Sequence, residues 1–125
     1  IVELGSDFGG SAALMAMVGM RLSPQPEFPP HIYMVDAWEK EGPSHDSDDN
    51  FNFVCQLIHK SSCRNITVVK AYFNDFAAFW KKNRLGKIDI LHIDGTHTYE
   101  AVKEDFETWF PLVADTGLVM MHDMV

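Results

Sequence analysis

A chain of 125 residues with 46% apolar and 22% charged side chains is long enough for one soluble domain with a modest core. Its net charge of −8, without any block of Lys or Arg, argues against a nucleic-acid-binding surface and against an anchor on anionic membrane. No apolar run reaches the length of a membrane span, and the opening IVELG does not read as a signal peptide. Cys55 and Cys63 make neither a zinc nor a redox spacing, so a reducing, cytoplasmic setting is expected.

The first residues, IVELG, read as a short strand ending in glycine, and SDFGGS as a small-residue loop. Residues 11–22, SAALMAMVGMRL, are apolar nearly all round, which predicts a helix covered on both sides. The prolines of SPQPEFPP make an exposed connection. A second strand, HIYMVD, ends in an acid. A polar loop, EKEGPSHDSDDN, then leads into a helix marked by Phe51, Val54, Cys55 and Ile58. NITVVKA reads as the third strand. In NDFAAFWKKNRLG, Asn74 is placed to cap a helix, Lys81, Lys82 and Arg84 suit its C-terminal dipole, and Gly86 is placed to stop it. KIDILHIDG is the fourth strand. Residues 98–113 put Tyr99, Val102, Phe106, Trp109, Phe110 and Val113 on one helical face, with Glu100, Lys103, Glu104 and Glu107 mostly opposite. GLVMMHD is the fifth strand.

Strands and helices thus alternate, and the strands are apolar runs rather than alternating patterns. This is the signature of an α/β fold with a doubly wound, Rossmann-like parallel sheet covered on both faces. Because Ile1 and Val125 lie in or beside strands, residues 1–125 are expected to be one domain, incomplete at both ends.

In such sheets ligands bind at the carboxyl ends of the strands. Here those ends carry Glu3 and Gly5, Asp36, Asp94, and the pair His122–Asp123. The loop ELGSDFGGS lacks the lysine of a phosphate-binding P-loop, and Asp7 breaks a dinucleotide fingerprint. What remains is an acid on the strand, Gly5 at the turn, and Gly9–Gly10 entering a helix, where a ligand can lie against backbone and a carboxylate can meet the helix N-terminus. Asp36 is placed to accept from a ribose diol. Asp94 and Asp123, on neighbouring strand ends, are placed to share a hard or borderline divalent ion, with His122 as an optional ligand. His92, two residues before Asp94, reads as a structural histidine.

The segments VELGSDFGGSA, VDAW, IDILHIDGTHTYEAVKEDFETWFPLV and GLVMMHD resemble the class I S-adenosylmethionine-dependent methyltransferases, in particular the branch containing macrocin-type sugar O-methyltransferases. The resemblance covers nearly the whole chain, and its most specific part is HIDG-x-H-x-Y-E-x-V-x-x-D followed by a strand ending HD. It implies the strand order 3-2-1-4-5, without the family's last two strands and N-terminal helical segment. It implies that Glu3, Gly5, Ser6, Gly9 and Ser11 hold the methionine part of the cofactor, that Asp36 takes the ribose, and that Tyr72 or Phe73 lies against the adenine. From metal-dependent relatives it implies magnesium on Asp94, His122 and Asp123, with His97 as general base. The chain departs from the family's pattern in AYFND after strand three, in Thr116–Gly117 before strand five, and in His122, where some metal-binding relatives have an acid or amide.

The activity implied is metal-assisted O-methylation of a small-molecule or sugar hydroxyl. The sequence names no acceptor, but points to a small-molecule partner, no nucleic acid or membrane, and a homo-oligomer as one option. A nucleotide-sugar-handling glycosyltransferase, using DSDD at 46–49 as its metal motif, is the competing enzyme reading. A non-catalytic methyltransferase-fold module of a larger protein is the third.

Overall fold

In a computed structural model, which describes residues 1–25, 27–39 and 47–123, five strands form one parallel sheet in the order β3-β2-β1-β4-β5. The strands are β1 (Val2–Leu4), β2 (Ile32–Asp36), β3 (Ile66–Lys70), β4 (Ile88–Ile93) and β5 (Val113–Met121). The helices are α1 (Gly10–Leu22), α2 (Ser47–Lys60), α3 (Phe73–Asn83) and α4 (Tyr99–Trp109), the last running into a 3₁₀ turn at Phe110–Leu112. The α/β class and the strand order agree with the sequence reading.

Register explains the two cores. Val2 pairs with Tyr33 and Leu91, and Leu4 with Val35 and Ile93. These side chains share one face with α3 and α4, where Phe76, Trp80 and Trp109 fill the space above them. Ile32 and Met34 face the other side and meet Ala12 and Ala16 of α1 and Val54 of α2. Glu3 belongs to that second face. It lies in a row across the sheet that runs Val68, Met34, Glu3, His92, Met120.

Several boundaries differ from expectation. The helix of residues 11–22 is covered on one side only: Ala12 and Ala16 are buried, whereas Leu14, Met17, Val18 and Leu22 are exposed. Its small residues bring the backbone close to the strands, so the larger ones point away. Asn74 is not the α3 cap; that position is Tyr72, and the Asn74 amide instead donates to Glu104 Oε1 at 2.6 Å. Arg84 ends α3 in the left-handed region, with φ 52°, two residues before Gly86. On α4 the apolar face is shorter than expected, because Tyr99 and Phe110 are exposed. Strand β5 starts at Val113, not at Gly117: Val113 pairs with Ile88 and Leu118 with Ile90, and residues 114–117 bulge between them. Helix α2 opens at Ser47, so most of DSDD is helical, while Asp46 and the rest of the 40–46 loop lie outside the described residues. Among the described residues no helix is long and apolar enough to cross a membrane.

Candidate active site

The carboxyl ends of β1, β2, β4 and β5 converge, and a glycine is the reason the first and third can touch. Gly5 leaves β1 with φ 84°, a left-handed value that favours glycine, and a Cβ there would collide with the carbonyl of Asp94. The glycine loop is therefore packed directly on the turn that carries Asp94. Ladder bonds reinforce this: Asp94 N–H donates to Leu4 O at 2.8 Å, and Gly5 N–H to Val35 O at 2.9 Å.

Asp36 organises the same loop. Its Oδ2 accepts from the backbone N–H groups of Ser6 and Asp7, each at 3.0 Å, and its Oδ1 accepts from Trp38 N–H at 2.7 Å. The Trp38 indole returns a bond to Asp7 O at 2.8 Å. Asp36 was expected at a ribose; here its carboxylate also holds the loop in shape. Oδ2 already accepts two bonds, and Oδ1, which accepts one, keeps a lone-pair site with which to meet a ribose.

Two polar atoms of this region, Glu3 Oε2 and Ser6 Oγ, are buried with no partner among the described residues. Glu3 is completely buried, and its other oxygen lies 3.2 Å from His92 Nδ1. A buried carboxylate oxygen without a donor is costly, and buried polar groups are normally satisfied. The pair therefore suits a ligand that supplies hydrogen-bond donors. Helix α1 begins beside them at Gly9, φ 77°, with no side-chain cap, leaving its first N–H groups open to a carboxylate. Ser11 is exposed on that first turn, and nothing lies within 4 Å of a Cβ built on Gly10. Buried Gly9, by contrast, packs against the end of Met34. These residues fit a cofactor with an amino-acid end.

The two aromatic residues expected at the adenine part company. Tyr72 is exposed beside a groove of about 440 Å³ lined by Ala37, Glu39, Lys70, Ala71 and Asp75. Its hydroxyl donates to Glu39, a bond that pushes the phenol above its usual pKa. The ring of Phe73 instead crowds Gly95, where a Cβ would lie 2.6 Å from it, and packs on the α3–α4 core.

At the ends of β4 and β5, His122 Nδ1 lies 3.2 Å from both Asp94 Oδ1 and Asp123 Oδ1. The three expected metal ligands are thus brought together, but as an imidazole between two carboxylates. Among the described residues no group of three His, Cys, Asp or Glu side chains is arranged to hold a metal ion. The expected magnesium site is therefore not supported by this arrangement, and no step below is routed through a metal. The His97 ring stands 6.5 Å from that of His122. Both line a cleft of about 480 Å³ between α4 and β5, with Tyr99, Val102, Phe106 and Met121 as its apolar wall. His97 is not the α4 cap: Thr98 is, its Oγ1 accepting from Ala101 N–H at 3.3 Å.

Sequence reasoning gave no role to Asp105, which closes the motif HIDG-x-H-x-Y-E-x-V-x-x-D and is 8% exposed on α4. A Cβ on Gly95 would lie 3.6 Å from its Oδ2, so the carboxyl sits under the HIDGTH turn. Burial, and then the charge of Glu104, push its pKa up to about 6. The available signal was its spacing, three residues after Val102 and four before Trp109.

Residues 2–124 match the family model described as a methyltransferase domain. The chain belongs to this methyltransferase family. The uncharacterized protein y4gI of Sinorhizobium fredii (strain NBRC 101917 / NGR234) is 47% identical over a 134-residue alignment that includes 98% of the methyltransferase chain. That alignment spans only 13% of the relative. Among solved structures, the calicheamicin methyltransferase CalS11 superposes with a TM-score of 0.65 at 16% identity, over 97% of this chain and 56% of its own. At that identity the likeness is one of fold, and it places the methyltransferase domain in the Rossmann-like class that its strand order already indicates.

Proposed function

We propose that this domain transfers a methyl group from S-adenosylmethionine to a hydroxyl of a small-molecule acceptor. The observation that carries the reading is the pair of unpartnered buried atoms, Glu3 Oε2 and Ser6 Oγ, beside the uncapped start of α1 in a chain of the methyltransferase family. When bound, the cofactor supplies an electrophilic methyl carbon on a sulfonium. Everything else falls to the chain. Glu3 and Ser6 accept from the ammonium group, the first turn of α1 receives the carboxylate, and Asp36 both shapes the loop and takes the ribose hydroxyls. The groove beside Tyr72 receives the base.

The acceptor enters the cleft beside α4 with its hydroxyl toward His97. Alignment of oxygen, methyl carbon and sulfur is the main catalytic task. His97 would take the hydroxyl proton as the new O–C bond formed, with the electron pair of the cofactor's C–S bond returning to sulfur. Asp94 and Asp123 hold the His122 ring in place across the cleft.

Calorimetric titration with S-adenosylmethionine and with a nucleotide sugar tests the cofactor, and turnover with and without chelator tests the metal-free scheme. Binding of S-adenosylmethionine alone, with turnover that persists in chelator, is expected. Binding of the nucleotide sugar alone would overturn the reading. Loss of activity in chelator and its return with magnesium would overturn the scheme without a metal. A domain that binds S-adenosylmethionine but never turns over would be a non-catalytic module.

A further inference from the structure

We propose that His92 is a positioning residue for the cofactor's ammonium group: it holds one oxygen of Glu3 so that the other stays free for that cation. The inference rests on the methyltransferase reading and deepens it. Across the sheet, Glu3 is flanked by Met34 on one side and His92 on the other, with Val68 and Met120 beyond. No neighbour in this row except His92 can donate to a carboxylate. The Glu3 side chain is completely buried, and that of His92 is 12% exposed.

The single bond between them, Nδ1 to Oε1 at 3.2 Å, uses one oxygen and leaves Oε2 bare. Where Nδ1 is the protonated ring nitrogen, it donates to Oε1 in this contact. Burial already limits the rotamers of Glu3, and the bond to His92 fixes which of its two oxygens is engaged before any ligand arrives. Ser6 Oγ, in the loop just after β1, is the second bare acceptor. A carboxylate oxygen on β1 and a hydroxyl in the loop that follows it call for a cation with several N–H donors. The ammonium of an amino-acid moiety has three, whereas the sulfonium has none.

The test separates the amino-acid end of the ligand from its nucleoside end. S-adenosylhomocysteine carries the ammonium; methylthioadenosine has the same nucleoside and a thioether but no amino acid. Both are titrated calorimetrically into the wild type, His92→Leu, His92→Asn and Glu3→Gln. Asparagine places an N–H donor close to where imidazole Nδ1 stands, so it should keep S-adenosylhomocysteine affinity within about threefold. His92→Leu and Glu3→Gln should each weaken S-adenosylhomocysteine by about tenfold or more and leave methylthioadenosine unchanged.

Should the Leu variant not fold, the contrast between Glu3→Gln and His92→Asn decides the matter. Equal losses for both ligands in Glu3→Gln, or an Asn variant as weak as Gln, overturns the proposal. A Leu variant that binds S-adenosylhomocysteine normally does so as well, leaving the cofactor assignment intact. A wild type that binds neither ligand overturns the cofactor reading and, with it, this role for His92.

Discussion

Asp105 offers a test that needs no substrate. Its carboxyl is buried beneath Gly95 with Glu104 beside it, and burial first, then the Glu104 charge, raises its pKa from 3.8 to about 6. In the unfolded chain the group ionises near its ordinary value, while the folded chain keeps the proton until about pH 6. Between these values folding takes up a proton, so stability falls as pH rises and stays reduced above the upper value. At about 1.4 kcal/mol per pKa unit the ceiling is roughly 3 kcal/mol; solvent on the Glu104 side screens the group, so we expect about 1–2 kcal/mol.

Asp105→Asn keeps the shape and removes the charge. The variant should match the wild type at the acid end of the window and exceed it by about 1–2 kcal/mol at pH 8, a rise of roughly 3–8 °C in melting temperature. Thermal and urea melts of both proteins between pH 4 and 8 measure the difference, in which the other acids cancel. A variant no more stable than the wild type at pH 8 would refute the reasoning. It would show that the ionised carboxylate is satisfied in the fold.

Other consequences concern the loops and the chemistry. Gly5→Ala combines a left-handed φ with a collision against the Asp94 carbonyl, so it should destabilise the protein by about 2–4 kcal/mol in urea melts; a loss under about 1 kcal/mol would mean the two loops separate easily. Asp36→Ala removes three acceptor bonds from the glycine loop as well as the ribose contact. S-adenosylmethionine affinity, measured by calorimetry, should fall about ten- to hundredfold, and unchanged affinity in a folded variant would reject the assignment. His97→Ala should lower kcat by about 10²–10⁴-fold while leaving S-adenosylmethionine affinity as it was; wild-type turnover would remove His97 from the chemistry.

The parts of the fold legible in the sequence are those where one residue type serves one purpose. Gly5, Asp36, Asp94 and the pair His122–Asp123 end strands because strand ends are where polar side chains can stand beside a buried sheet, and the structure places all of them at that edge. What misled was ambiguity of environment. The outer side of α1 is as apolar as its inner side, so composition could not show that Leu14 and Val18 face outward. Asp105 sits among Glu100, Glu104 and Glu107, where an acid looks like one more solvated charge; its place at the end of the family-like motif singled it out, and its helical phase marks it as inward. The acids around His122 were legible as a cluster but not as a geometry, because sequence fixes neighbours and not the direction in which carboxylate oxygens point. His92 read as structural, and its bond to Glu3 became visible only when β1 paired with β4.

The contact between Gly5 and the Asp94 carbonyl means that the glycine loop and the HIDGTH turn behave as one mechanical part. Under the proposed function, a shift of the HIDGTH turn reaches the loop assigned to the cofactor as displacement at this contact rather than through charge. The same linkage sets a rule for chimeras of this scaffold. A HIDGTH-type turn transplanted from a relative requires glycine at position 5 of the first-strand loop, because the atoms it would meet there are backbone.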